Sequence, residues 1–290
     1  MSSKGNILIT GINGFVGSAL HLTLKEMGYK VWGFGRSFSK SMDNYYKVDL
    51  LDTNALKVVK KKLPKIKFII HTAAISQSVK FGYKKSVYEN NVKITKNIIE
   101  SFEKEVSHII FTSSIDVYGD VVRVHPISVN SNLRPNSYYG KSKVKCEEII
   151  LNSKIKNCLV LRLCPVFNES NLDDIKKRVF FPFLKSIKMK IRPFPNYSFT
   201  HLDTLTKFVK KKVLADVDGK FIYNLSDIKV YSQKEISLWF KGKNILIYVN
   251  MLKPFFLVTY LLPKMFGYKI RCLYWKLFMP NIIKNGFVKK

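Results

Sequence analysis

Short apolar runs alternate along the chain with longer stretches whose apolar residues recur at helical spacing. Ile7-Leu8-Ile9-Thr10 is followed by a glycine-rich turn, and residues 16–27 then carry a helical pattern. Residues 30–34 read as a second strand. Three more follow: residues 67–71, around Phe68-Ile69-Ile70, residues 108–112, around Ile109-Ile110-Phe111, and residues 158–163. Between them, residues 87–104 read as a helix with Val92, Ile94, Ile98, Ile99 and Phe102 apolar, and residues 139–152 as another. Uninterrupted apolar strands separated by helices predict an α/β fold with a Rossmann-type, doubly wound parallel sheet. Past Pro165 the regularity weakens, with Pro182, Pro193 and Pro195 breaking the pattern. Phe221-Ile222-Tyr223-Asn224 reads as one further strand, and residues 250–282, rich in Phe, Tyr, Leu and Lys, read as helical. The expected division is a sheet domain over 1–165 and a smaller C-terminal α/β subdomain over 166–290, interleaved with it.

Composition permits this fold. Of 290 residues, 47% are hydrophobic, enough for a sizeable core. The net charge is +30, which raises nucleic acid as a partner. The lysines, however, are spread along the whole chain, in pieces such as Lys60-Lys61-Lys62 and Lys210-Lys211-Lys212. No zinc finger, helix-turn-helix or RNA-binding aromatic motif accompanies them, so no nucleic-acid partner is expected. A lysine-rich surface is the first reading, and attraction to an anionic substrate or membrane face the second. Cys146, Cys158, Cys164 and Cys272 form no CxxC pair and no metal-ligand spacing, so no metal site is expected. Three of them sit in apolar contexts and read as core thiols of a reduced, cytoplasmic compartment. The polar residues 1–6 do not resemble a signal peptide. The apolar run 254–263 ends at Lys264 and is too short to span a bilayer.

Four motifs carry chemistry. Thr10-Gly11-Ile12-Asn13-Gly14-Phe15-Val16-Gly17 follows a strand and opens a helix. Glycines there allow a tight turn, close backbone approach to a pyrophosphate and a helix N-terminus aimed at phosphate. The second strand ends Gly35-Arg36-Ser37, where an acidic residue would select a ribose 2′-hydroxyl; a guanidinium and a hydroxyl suit a 2′-phosphate, favouring NADP over NAD. Tyr139 and Lys143 are spaced to share one helix face. A nearby ammonium stabilises phenolate, and such a tyrosine can exchange a proton while a hydride moves at carbon. Thr112-Ser113-Ser114-Ile115-Asp116-Val117-Tyr118-Gly119 follows a strand, which puts its hydroxyls at the carboxyl edge of the sheet, where such folds bind ligands.

These motifs, in this order, resemble the extended short-chain dehydrogenase/reductase superfamily and, within it, the nucleotide-sugar epimerase/dehydratase family. Further segments extend the likeness over nearly the whole chain. They are Asp49-Leu50, His71-Thr72-Ala73-Ala74, Asn91-Val92, Leu161-Arg162 through Val166-Phe167, Phe199-Thr200-His201-Leu202-Asp203, and the closing stretch 281–287. The resemblance implies that Ser114 orients the substrate oxygen, with Ser113 as fallback. It implies that Tyr139 is the general acid or base, and that Lys143 holds the nicotinamide ribose and tunes Tyr139. It also implies an NAD(P) site built from Gly11, Asn13, Gly14, Phe15, Val16, Gly17, Arg36, Asp49, Leu50, Ala73 and Ala74 together with Tyr139 and Lys143. Residues 166–290 become the substrate-binding subdomain.

The chain departs from the family's dehydratases, whose elimination uses a Thr-Asp-Glu type triplet. The counterpart here is Ser114-Ile115-Asp116, and Ile115 disfavours dehydration. What remains is a nucleotide-sugar epimerase or a 4-keto-sugar reductase, with a UDP-sugar as the expected substrate and surface-polysaccharide synthesis as the setting. A 3β-hydroxysteroid-type dehydrogenase and a non-catalytic NAD(P)-binding regulator are the alternatives; the presence of both Tyr139 and Lys143 disfavours the second. The resemblance implies homodimerisation through helices of the Rossmann half. The apolar and basic stretch 250–280 is expected to pack the substrate subdomain. Peripheral contact with the inner membrane face is its second reading.

Overall fold

A computed structural model of the chain describes residues 5–37, 44–75, 85–119, 126–181, 184–192, 194–214, 217–248 and 282–290. Strands and helices alternate through the first part: β1 (Asn6–Thr10), α1 (Phe15–Glu26), β2 (Lys30–Gly35), β3 (Tyr45–Lys47), α2 (Thr53–Lys60), β4 (Phe68–His71), α3 (Lys85–Phe102), β5 (His108–Ser114), α4 (Tyr138–Leu151) and β6 (Asn157–Leu163). The second part runs β7 (Val166–Phe167), α5 (Asp173–Val179), β8 (Phe180–Phe181), β9 (Leu184–Arg192), β10 (Asn196–Tyr197), β11 (Thr200–His201), α6 (Leu202–Leu214), β12 (Lys220–Leu225), β13 (Tyr231–Ser232), α7 (Gln233–Leu238), β14 (Lys243–Tyr248) and β15 (Gly286–Lys289).

Eight strands form the main sheet in the order β15-β12-β6-β5-β4-β1-β2-β3. All its pairings are parallel except that of β15 with β12. The order reverses beside β1, between β2 and β4, which is the switch point where doubly wound sheets open a crevice. The central strands β1, β4, β5 and β6 are apolar and buried because helices cover both faces. One core layer joins Leu8, Ile69, Ile109 and Val160 to Ile98 and Phe102 of α3 and Ile150 of α4. The other joins Ile7, Ile9, Ile70 and Leu161 to Leu20 and Leu24 of α1 and Leu205 and Val209 of α6.

The strands expected at 30–34, 67–71, 108–112, 158–163 and 221–224 and the helices expected at 16–27, 87–104 and 139–152 all form, with ends shifted by one or two residues. The chain past Pro165 is more regular than its pattern suggests. There α6 packs beside α1, and β12 and β15 extend the main sheet. A small three-stranded sheet, β14-β9-β8, and an aromatic core of Phe167, Tyr197, Phe199 and Tyr231 build the rest. The expected helix at 250–282 and Cys272 lie outside the described residues. Cys146, Cys158 and Cys164 are buried free thiols. Among the described residues no helix is long and apolar enough to cross a membrane.

Candidate active site

The glycine turn sits against the end of β4. Gly11 adopts φ +72°, and a Cβ on it would meet the Ala73 Cα at 2.7 Å. A Cβ on Gly17 would lie 2.3 Å from the Gly11 carbonyl oxygen and 2.9 Å from the Ile12 Cα, so α1 rests directly on the turn it leaves. Gly14 caps α1 without a side-chain acceptor. The first-turn N–H groups have no partner within the helix, the arrangement that suits helix starts to anions.

A cleft of about 560 Å³ opens at this switch point. Gly11, Asn13, Gly14, Arg36, Asp49, Leu50, Ala73 and Ala74 line it, joined by Phe34, Gly35, Ser37, Val48, Thr72, Ile75 and Ile94. Phe15, Val16, Gly17, Tyr139 and Lys143 do not line it. Asn13 holds one lip: its Nδ2 donates to Ser37 O (3.0 Å), Ser37 Oγ (2.9 Å) and Tyr45 Oη (3.2 Å). Tyr45, which does not itself line the cleft, is a partner of this lip that no sequence spacing announces. Asn91 of α3 holds the other side, accepting from Ile75 N (2.7 Å) and donating to Ile75 O (3.2 Å) and Ser142 Oγ (3.1 Å). These features fit a dinucleotide: a turn with glycine at positions 11 and 14, a helix start without a side-chain cap and a cation at the far lip.

Ser114, Tyr139 and Lys143 come together at the carboxyl ends of β5 and α4's first turn. Ser137 caps α4 through Gly140 N (2.8 Å), which sets where the helix begins. Tyr139 is half-buried and Tyr138 exposed. Ser114 ends β5 and its Oγ accepts from Asp116 N (3.1 Å) while hydrogen-bonding Tyr139. Ser113, on the opposite face of the strand, donates to Glu147 Oε1 (2.5 Å), leaving Ser114 as the serine beside Tyr139. Lys143 Nζ donates to Thr112 O (2.7 Å) and lies 4.6 Å from the Phe111 ring centroid and 5.6 Å from that of Tyr139.

The electrostatics differ from the expectation in one respect. Burial, followed by the carboxylates of Asp116 and Asp174, pushes the Tyr139 phenol up, and only the Ser114 hydrogen bond acts the other way. The net direction is therefore upward, against the lowering expected from Lys143 alone. Burial brings Lys143 itself down to about 8. The Asp174 carboxylate, on α5, acts on the phenol from far along the sequence, which is why sequence spacing did not disclose it. Behind the site, His71 is buried between Thr10 Oγ1 (2.6 Å) and Thr95 Oγ1 (3.0 Å), and burial with Lys143 nearby lowers it to about 3. It is neutral and joins β1, β4 and α3 beneath the cleft.

A family model, the NAD dependent epimerase/dehydratase family, matches residues 7–206. The chain belongs to this family. This epimerase/dehydratase chain is 32% identical over 186 residues to UDP-glucose 4-epimerase uge1 of Schizosaccharomyces pombe, covering 57% of the chain and 52% of that protein. It is 27% identical over 241 residues to the N-acetyl-alpha-D-glucosaminyl-diphospho-ditrans,octacis-undecaprenol 4-epimerase of Escherichia coli O157:H7, covering 77% of the chain and 67% of that protein. The chain thus spans about half the length of the UDP-glucose 4-epimerases it matches. A solved UDP-glucuronic acid 4-epimerase from Bacillus cereus, in complex with NAD, superposes with a TM-score of 0.65 at 21% identity, covering 84% of this chain and 87% of that one. It shares the fold.

Proposed function

We propose that the chain is an NAD(P)-dependent epimerase of diphosphate-linked sugars, with a UDP-sugar as its substrate. The observation that carries this is that Tyr139 is hydrogen-bonded to Ser114 and has the Lys143 ammonium 5.6 Å from its ring centroid, at the sheet edge onto which the glycine cleft opens. Bound NAD(P) would supply the hydride acceptor and donor and, when oxidised, a positive charge that favours the Tyr139 phenolate. Tyr139 takes the proton from the sugar hydroxyl as the carbon is oxidised and returns it after the keto sugar presents its other face. Ser114 hydrogen-bonds the reacting oxygen, and Lys143 holds the nicotinamide ribose. Several relatives are 4-epimerases of UDP-linked sugars, which supports this reading.

Arg36 at the cleft lip supports a second reading, a 4-keto-sugar reductase that consumes NADPH. NADP preference, dimerisation through helices of the Rossmann half and a role in surface-polysaccharide synthesis belong to the same proposal.

Purified chain incubated with UDP-hexoses and NAD separates the two readings. Interconversion of the 4-epimers without net cofactor change establishes the epimerase. Net NADPH oxidation with a UDP-4-keto-6-deoxy sugar establishes the reductase. Tyr139→Phe is expected to lower either activity by roughly 10²–10⁴-fold. Unchanged turnover in that variant would refute the site.

A further inference from the structure

The segment between β12 and β14 carries four of the ten exposed large apolar side chains among the described residues. Ile228 is 97% exposed and Leu238 77%, with Val230 and Trp239 also open. A monomeric surface seldom gathers side chains of this size without a partner. Lys229, Lys234, Lys241 and Lys243 stand exposed among them; of the two acids of the stretch, Asp227 accepts from Tyr231 Oη and His201 N, and Glu235 is paired with Lys229. The two arms of the segment meet in space: the Tyr231 ring packs edge-on to Trp239 at 5.8 Å.

Its place in the fold gives the patch meaning. Ser114 of β5 pairs with Leu163 of β6, and Leu163 with Leu225 of β12, so the three form one row across the carboxyl edge. Ile228 follows Leu225 by three residues, and the Trp239 ring lies 6.1 Å from that of Phe167, just beyond β6. The apolar and cationic face therefore opens on the edge that holds the candidate active site.

We infer that this face, Ile228, Val230, Leu238 and Trp239 ringed by Lys229, Lys234, Lys241 and Lys243, seats the protein on an anionic membrane surface. The chemistry matches on both sides. Aliphatic and indole side chains enter the headgroup boundary, and lysines meet anionic lipid with a gain of roughly fivefold each. A protein of net charge +30 is drawn to such a surface from a distance. Docked this way, the carboxyl edge faces the bilayer, where a diphosphate-linked sugar on a lipid carrier would be met. The docking is independent of the hydride chemistry, so vesicle binding and turnover test separate claims.

The test is flotation of the full chain with phosphatidylcholine vesicles, with and without phosphatidylglycerol, at low and high salt. Binding is expected on the anionic vesicles at low salt, and weak binding on the neutral ones. Ile228→Ser/Leu238→Ser and Lys241→Glu/Lys243→Glu should each weaken it by roughly tenfold or more while melting like the parent. Absence of binding by the folded parent overturns the inference. So does binding by both variants at the parent's strength, which would locate the contact elsewhere on the chain.

Discussion

Glu147 and Arg162 form an ion pair at 2.7 Å in which each side chain is 4% exposed. Arg162 also donates to Tyr118 Oη (3.0 Å), which donates to Asn224 Oδ1 (2.6 Å), so the pair ties α4 to β6 and, through Tyr118, to β12. Glu147 lies one turn beyond Lys143 and accepts from Ser113, the neighbour of Ser114. The network thus fixes the backbone on which two candidate catalytic side chains stand. Removing one partner leaves a buried charge uncompensated, at a cost of about 3–5 kcal/mol. Glu147→Leu and Arg162→Met should each show that loss in urea denaturation. The double variant should recover much of it, since an apolar pair of similar volume carries no desolvation cost. Losses that simply add in the double variant would show that the two charges are not coupled.

Lys143 connects function to stability. Its folded-state value near 8 lies below the ordinary 10.5, so the folded chain releases this proton more readily than the unfolded chain. The penalty for burying the ammonium is fully present below pH 8. It fades as pH rises through 8 and is gone above 10.5, so this group makes stability increase with pH across that window. Lys143→Met removes the penalty and one hydrogen bond to Thr112. The net gain near pH 7 should be about 2 kcal/mol in the cofactor-free protein, with activity abolished. Melting temperatures measured across the window check this; a variant less stable than the parent at pH 7 would contradict it.

The parts of the fold that read clearly from sequence are those with both faces buried. Ile7-Leu8-Ile9 and Ile109-Ile110-Phe111 leave no polar alternation to confuse with a surface strand. By contrast α6 was hidden because Leu202-Asp203 reads as the end of a motif, although Leu205 and Val209 continue a buried stripe. The short strands β8, β10 and β13 take their pairing from distant partners that no local pattern names. The site divides in the same way. Gly11, Ser114, Tyr139 and Lys143 were legible because each lies at a fixed offset from a strand or helix end. Tyr45 and Asp174 were not, because tertiary packing brings the one to the cleft lip and lets the carboxylate of the other act on Tyr139. Spacing gives the proximity of Lys143 to Tyr139 but not the burial that dominates the phenol's shift.

Gly17 offers a test of the glycine cradle apart from catalysis. A methyl group there would stand 2.3 Å from the Gly11 carbonyl oxygen, a backbone atom that cannot swing aside. Gly17→Ala must therefore push α1 off the turn, costing about 1–3 kcal/mol in stability. The displaced N-terminus should also weaken NAD(P) binding, read by titration calorimetry. Gly286→Ala is the control, since nothing lies within 4 Å of a Cβ there. Equal cofactor affinity in the two variants would show that close helix–turn packing is not what shapes the cleft.

On the proposed reading, Arg36 sets which dinucleotide the cleft prefers. It follows β2 at the exposed lip, next to Ser37, whose backbone and hydroxyl are held by Asn13. A ribose 2′-phosphate placed there gains charge-assisted hydrogen bonds from the guanidinium, whereas a bare 2′-hydroxyl gains little. Arg36→Asp reverses the sign of the lip: the carboxylate repels phosphate and accepts from the hydroxyl. Affinity for NADP should fall by roughly tenfold to a hundredfold while affinity for NAD holds or rises. Paired titrations of NADP and NAD against parent and variant read this directly. A parent that already binds NAD more tightly than NADP would remove the preference assigned to Arg36. The dinucleotide cleft and the Ser114–Tyr139–Lys143 arrangement would stand, and the epimerase reading would gain over the reductase.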